Sequence, residues 1–251
     1  METEHFSHHI SRRFNEELER LRSEVLRMGG LVEQHLGVAV EAIVSGDSEM
    51  GLRIAAEDYK INQLEVSIDE ECTRILATRG PTAGDLRLVI AVIKTITDLE
   101  RIGDEARKIA MLAAHMATER RQHEEYHELE SLSGHVQEMV RDTLDAFSRM
   151  DAQDALGVVE EDKLVDEQYD MITRQCISLM MEDPRTIRRF LDITWAARAL
   201  ERIGDHAKNI SEYVVYLVHG RDIRHVGIET VKHEMGVGRT PQIGDEPEIN
   251  P

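Results

Sequence analysis

Residues Leu99–Asp104 read LERIGD, and residues Leu200–Asp205 read LERIGD again, 101 residues later. Each copy sets a Glu and an Asp four apart among apolar residues. Outward from each copy, apolar residues recur at spacings of three and four, the period of a buried helix face. On a wheel of ~100° per residue, Leu99, Ile102, Ala106 and Ile109 share one side, while Val89, Val92, Ile93 and Ile96 fan out on the other. Glu100 falls between Val89 and Ile93, and Asp104 just beyond Ile93. The acids therefore stand at the edge of the apolar arc, not opposite it. In the second copy Leu200, Ile203, Ala207 and Ile210 form the core side, and Glu201 and Asp205 neighbour Phe190 and Thr194.

The same period runs through most of the chain, broken at readable stops. Gly80 suits the position just past a helix end. Thr82 and Asp85 read as an N-cap and its third-position acid. Asp183 reads as an N-cap with Pro184 as the first helical residue, and Asp47 and Asp151 mark two further helix starts. The stops predict six helices near 5–45, 48–79, 83–118, 124–150, 152–182 and 184–219. An offset of 104 aligns Val25 with Leu129, Val32 with Val136, Val40 with Leu144 and Ile43 with Phe147. It also aligns Asp47 with Asp151, Asp58 with Asp162, Ile68 with Ile172 and Cys72 with Cys176. Long-range self-similarity of this kind is the mark of a duplicated unit. The predicted fold is all-α: two tandem three-helix bundles, 1–120 and 121–220, followed by a Gly-, Pro- and charge-rich tail, 221–251, expected to be disordered.

Composition agrees with long helices and limits the function. The chain is 41% hydrophobic and 31% charged but only 4% aromatic. Its net charge of −19 argues against a nucleic-acid partner, which needs a basic surface and stacking platforms. Cys72 and Cys176 form no Cys-x-x-Cys spacing, so thiolate zinc and redox readings fail. Two cysteines on apolar faces suit reduced core residues. There is no apolar signal core and no apolar run long enough to cross a bilayer. The expected location is cytoplasmic, with any recruitment to the inner membrane face made through partners. No Ser-His-Asp arrangement, phosphate-cradling Gly loop or nucleotide motif is present.

The helix before each LERIGD copy carries a second pair of oxygen-bearing residues. Asp58 and Asn62 flank Ile61, and Asp162 and Asp166 flank Val165. Residues four apart stack on one helix face. Each unit thus offers two facing stacks: Asp58/Asn62 with Glu100/Asp104, and Asp162/Asp166 with Glu201/Asp205. Like charges at the edge of a core are unfavourable unless neutralised. A cation is one solution, and oxygen ligands point to Mg, Mn, Ca or Fe. The other solution is a set of ordinary ion pairs with Arg101, Arg202, Lys108 and Lys208. Gly103 and Gly204, inside the helices, suggest close helix approach or room for an ion shell. His206 has Glu105 as its first-copy equivalent and is expected to face solvent. Trp195 is expected to be a packing anchor.

The stretches PTAGDLRLVIAVIKTITDLERIGDEA and EDPRTIRRFLDITWAARALERIGDHAKNISEYVVYLVHG resemble the PhoU family, the phosphate-signalling accessory proteins of bacteria. The resemblance spans about residues 5–225. It implies tandem three-helix bundles and multinuclear metal clusters, with Fe, Mn, Mg or Zn all open as the ion. The family's acidic motifs map onto Glu100/Asp104 and Glu201/Asp205, with Asp58/Asn62 and Asp162/Asp166 on the preceding helices. It further implies a homodimeric negative regulator of the phosphate-starvation response, not an enzyme. Such a regulator contacts a sensor histidine kinase and restrains the ATPase subunit of the high-affinity phosphate ABC transporter.

Two other classes fit an acid-bearing helical bundle. A di-metal carboxylate oxidase would want Glu-x-x-His on two core helices, and the spacings present, Glu2–His5 and Glu124–His127, lie at a terminus and in a polar segment. A metal-free helical scaffold would need only the ion pairs.

Overall fold

The computed structural model describes residues 2–116, 127–224, 226 and 230–231, the side chains of 2–11 and 13 excepted. Among these residues the helices run, in order, α1 Glu2–Ser45, α2 Ser48–Ala56, α3 Tyr59–Arg79, α4 Ala83–Met116, α5 His127–Arg149, α6 Ala152–Glu182 and α7 Ile187–His219. A short 3-10 turn, Pro184–Thr186, leads into α7. Among the described residues there is no strand. In the first bundle α1 and the α2–α3 pair pack on α4; in the second, α5 and α6 pack on α7. The bundles join along α4 against α7 and α1 against α5.

Local chemistry sets the helix ends. Asp47 accepts from the Met50 backbone N–H at 2.9 Å, and Asp151 from those of Gln153 and Asp154 at 2.9 and 3.1 Å. Asp183 accepts from the Arg185 backbone N–H at 3.0 Å. These bonds satisfy donors that a helix start leaves open. Thr82 works differently from a standard cap: its hydroxyl donates to the Asp85 carboxylate at 2.7 Å, while its carbonyl accepts from Leu86 N–H at 2.7 Å. Gly80 closes α3 in the left-handed region, at φ 55°.

Every apolar pair aligned by the duplication is buried in both copies, Cys72 and Cys176 included. Burial pushes the Cys72 thiol up to about 12, which makes it an inert core residue.

Three expectations need correction. The single helix predicted over 48–79 is two helices, because hydrogen bonds tighten at the join. Glu57, Lys60 and Ile61 donate three residues back, to Ile54, Glu57 and Asp58, at 2.9–3.0 Å. Its counterpart α6 runs unbroken through Asp162. Pro184 opens a 3-10 turn rather than the α-helix itself. Of the segment 221–251, Ile223 and Val231 are buried in the core, since two apolar side chains there find a hydrophobic surface. Residues 225, 227–229 and 232–251 lie outside the described residues, as do the predicted helix bounds at 118 and 124.

Candidate functional site

The two acid groups occupy matching places, each where α4 or α7 meets the helix before it. Gly103 and Gly204 permit this meeting. A Cβ on Gly103 would lie 2.9 Å from Ile61 Cδ1 and 3.7 Å from Asp58 Oδ1. One on Gly204 would lie 3.2 Å from Val165 Cγ1 and 3.9 Å from Asp162 Oδ1. The glycines thus serve close approach, and the approach brings Asp58 and Asp162 against the LERIGD helices.

Asp58, Asp162 and Glu201 are buried, Glu100 and Asp104 half-buried, and Asn62, Asp166 and Asp205 exposed. Burial is the main reason that Asp58 and Glu100 hold their protons above the ordinary carboxylate range. Asp104 pushes both in the same direction, while Arg107 opposes it at Asp58. Asp166, Glu201 and Asp205 are raised in the same way, first by partial desolvation beside the packed helices, although of the three only Glu201 is buried. The neighbouring acid comes next: Asp162 for Asp166 and Asp205, and Asp205 for Glu201. Asp58 Oδ1 and Glu201 Oε2 are buried without a hydrogen-bond partner. Both clusters thus hold carboxylate oxygen whose charge is incompletely met.

Basic residues meet part of it. Lys208 Nζ donates to Asp162 Oδ2 at 2.5 Å. Arg198 donates to Glu201 Oε1 at 2.6 Å. Arg107 lies 3.5 Å from Asp58 and 3.8 Å from Asp104, and Arg101 lies 3.6 Å from Glu100. Of the four cations expected to pair with these acids, Lys208 and Arg101 do. Lys108 and Arg202 instead hold Glu105, at 2.8 and 3.0 Å. Among the described residues, no three or more His, Cys, Asp and Glu side chains converge closely enough to form a ready metal shell. The clusters have the chemistry a hard cation wants, while their side chains are spread along two helices.

Several neighbours were not anticipated. Glu65, three residues after Asn62, joins the first cluster; burial and then Glu100 raise its pKa. Arg107 is the equivalent, at the LERIGD offset of 101, of the expected Lys208, a signal that could have found it. His35 of α1 is buried with Nε2 unpartnered. Burial lowers its pKa against the nearby Glu57 and Asp58.

Two expectations fail. His206 does not face solvent: its ring bonds Asp98 across the α4–α7 seam at 2.7 Å. Trp195 is 56% exposed, so it is no packing anchor. For the Glu-x-x-His spacings, the Glu2 and His5 side chains and all of Glu124 lie outside the described residues.

The PhoU domain model matches the chain twice, over residues 25–113 and 129–214. The chain is similar to the phosphate-specific transport system accessory protein PhoU homolog of Pseudomonas putida. Identity is 50% over 232 residues, covering 92% of this chain and 91% of that one. It is 47% identical over 228 residues to the phosphate-specific transport system accessory protein PhoU of Escherichia coli K12, covering 90% and 94%. The crystal structure of PhoU from Pseudomonas aeruginosa superposes with a TM-score of 0.81 at 51% identity, covering 83% of this chain and 100% of that one. That of the phosphate transport system regulatory protein PhoU from Streptococcus pneumoniae superposes at 0.77 with 30% identity, covering 83% and 98%.

Proposed function

The chain belongs to the PhoU domain family, and from that premise we propose that it regulates phosphate transport by protein contact rather than by catalysis. In this reading it is a cytoplasmic homodimer that represses the phosphate-starvation response when phosphate is abundant. Its partners are a sensor histidine kinase and the ATPase subunit of the phosphate ABC transporter, which bring it to the inner membrane face. No described helix is long and apolar enough to cross a membrane, so attachment through partners is a coherent route.

The observation that carries the reading is near-full-length similarity to proteins named as phosphate-transport accessory proteins, joined to acid groups repeated on both bundles. Metal ions, with Fe, Mn, Mg and Zn as the candidates, would be held by Asp58, Asn62, Glu100 and Asp104 in one bundle and by Asp162, Asp166, Glu201 and Asp205 in the other. The unpartnered buried oxygens of Asp58 and Glu201 support that assignment. The ions would neutralise the crowded carboxylates and stiffen the helix pairs.

The test is a strain lacking the protein, carrying a phosphate-starvation reporter and grown in abundant phosphate. The wild-type chain should restore repression. Failure to do so at normal protein levels would sink the regulatory reading. The metal-free scaffold is the second reading, favoured by the Lys208–Asp162 and Arg198–Glu201 pairs. Elemental analysis of purified protein separates it from the metalloprotein.

A further inference from the structure

Along the seam of the two bundles, α4 and α7 run antiparallel: Asp98 meets His206, Glu105 meets Arg202 and His115 meets Asp192. At one end of the seam lies a shallow groove, open to solvent and lined by Arg107, Lys108, Met111, Trp195, Arg198 and Arg202. Its floor is Glu105, whose side chain is 5% exposed and is held by Lys108 and Arg202. Two cations, Lys108 and Arg202, therefore share one buried carboxylate, an excess of positive charge in a chain whose net charge is −19, while Arg198 and Arg107 on the walls pair with Glu201 and with Asp58 and Asp104. Trp195 and Met111 stand exposed beside them, and Leu191 and Ile187, also exposed, extend the apolar track up α7.

The duplication shows that packing does not require this openness. At the LERIGD offset, Trp195 corresponds to Lys94, Ala199 to Asp98 and Glu105 to His206. At that other end the seam is filled. Asp98 accepts from His206 and Asn209 at 2.7 and 3.2 Å. Lys94 lies over the rings of Tyr213 and Tyr216, 5.2 and 5.7 Å from their centroids. One end of a pseudo-symmetric seam is closed by its own side chains. The other presents Trp and Arg, the residue types that dominate protein–protein hot spots, beside exposed apolar surface.

We propose that this groove docks an acidic polypeptide segment of a partner protein. The segment sets a bulky apolar side chain against Trp195 and Met111, and a carboxylate against Lys108 and Arg202, which share the single charge of Glu105. The proposal rests on the reading of the chain as a contact regulator, and it names the chemistry of the contact. A shallow, open groove suits a peptide better than a small anion, whose sites enclose most of the ligand. The local cation excess at Lys108 and Arg202 is too small to neutralise the run of phosphates that a nucleic-acid backbone presents. Arg107 also leans on Asp58 and Asp104, so one wall of the groove borders the first acid cluster.

Trp195 is the sole tryptophan of the chain, so its fluorescence reports on the groove directly. The probe is a short labelled peptide with a central Phe flanked by glutamates. Controls are the same peptide with lysines for glutamates, and inorganic triphosphate. The acidic peptide should bind, shift Trp195 emission and weaken as salt rises. Lys108→Gln with Arg202→Gln should weaken it about tenfold. Glu105→Gln keeps both cations and removes the opposing charge, so it should tighten binding and decides the matter if the double variant unfolds. Equal binding of the lysine peptide, no binding at all, or indifference to these substitutions would overturn the proposal. Triphosphate binding as tightly as the peptide and displacing it would make the groove a small-anion site. If deleting residues 232–251 alone shifts Trp195 emission and raises peptide affinity, the occupant is the chain's own acidic end. If emission changes with protein concentration alone, the occupant is a second copy. Each of these three outcomes also overturns a separate partner. A chain that represses the phosphate reporter yet ignores the peptide would sink the groove alone. One that binds the peptide yet fails to repress would sink the regulatory reading alone.

Discussion

The first bundle and the second place an aspartate in the same spot, Asp58 and Asp162, and answer its charge differently. Lys208 forms a direct hydrogen bond with Asp162. Its equivalent, Arg107, stands off from Asp58 at 3.5 Å and is shared with Asp104. The oxygen donors differ too. Where the second bundle has Asp166 the first has neutral Asn62, yet where the second has Tyr169 the first has Glu65. Counting Glu65, each cluster has four acids. Duplication has thus preserved the amount of negative charge at each place while moving one carboxylate three residues along the helix. The amount of charge governs how strongly a cation is drawn; its position governs the shape of the shell.

The largest expected effect comes from removing charge in one bundle only. Glu201→Gln with Asp205→Asn keeps side-chain size and should abolish metal binding by the second bundle while the helices and the first cluster persist. Ligand linkage stabilises a fold by about 2.7 kcal/mol at a 100-fold excess over Kd. That portion of the metal-induced rise in melting temperature should vanish. Calorimetry with and without chelator, beside elemental analysis and circular dichroism, reads it. Unchanged metal content in the double variant would break the assignment of these acids as ligands. Full repression in cells by a folded, metal-free variant would leave any metal a structural role at most.

Single-site charge changes sharpen the comparison. If Glu65 makes up for Asn62, Glu65→Gln should weaken metal binding by the first bundle about tenfold, or ~1.4 kcal/mol. Asn62→Asp should strengthen it by less, because the acid count is already matched. Isothermal titration of chelator-stripped protein, with the second cluster disabled, measures both. A large gain from Asn62→Asp with no loss from Glu65→Gln would show that Asn62 sets a real deficit in the first bundle.

The helix caps and the duplicated core were legible because they depend on local chemistry and on a period. Asp47 and Asp151 each follow a turn and cap the next helix, and the aligned apolar pairs are buried in both copies. A helical wheel gives a side chain's angle on its own helix. It does not say where the neighbouring helix leaves a gap. That is why Trp195 read as core and stands exposed, and why His206 read as solvent-facing and meets Asp98 from the other bundle. The break at Glu57–Asp58 left no Pro or Gly to announce it. The wheel sets the LERIGD acids at the rim of the arc; Glu100 and Asp104 are half-buried there, while Glu201 is buried and Asp205 exposed, and Glu65 enters only once the helices are set side by side.

A backbone difference between the halves gives a smaller effect. Gly46 and Met150 are equivalent at the offset of 104, and both adopt positive φ, 75° and 54°. Glycine enters that region freely, whereas a side chain is strained there. Met150→Gly should therefore stabilise the chain by roughly 1 kcal/mol, and Gly46→Ala should destabilise it by a similar amount. At this chain length ~1 kcal/mol is about 2–4 °C in melting temperature. Shifts of the same sign for both would contradict the strain argument.

The smallest effect is on pH dependence in chelated protein, and its sign follows from the raised carboxylates. Asp58, Glu65 and Glu100 in one bundle, and Asp166, Glu201 and Asp205 in the other, hold protons to higher pH than in the unfolded chain. Desolvation, full or partial, is the first cause at each. Between the ordinary carboxylate range and these raised values the native state binds more protons than the unfolded state. These groups therefore remove stability as pH rises through that window and return it as pH falls. Glu57, Glu71, Asp183 and Asp222 are held low by hydrogen bonds to Lys60, Arg74, Arg185 and Arg224. They act in the opposite sense, so total stability is a poor readout. The difference between wild type and a neutral variant is a better one, because it cancels them. Glu201→Gln should melt slightly above metal-free wild type near pH 7, where wild type buries a charge. The gap should close as pH falls through the raised value of Glu201 and down into the ordinary carboxylate range, as the carboxyl takes up its proton. Glu100→Gln should show the same closing gap in the first bundle. A gap that widens on acidification in either bundle would mean that the carboxylate is stabilised there by its cation partners, Arg198 or Arg101. That bundle's acids would then belong to an ion-pair network and would have no surplus charge for a metal to neutralise.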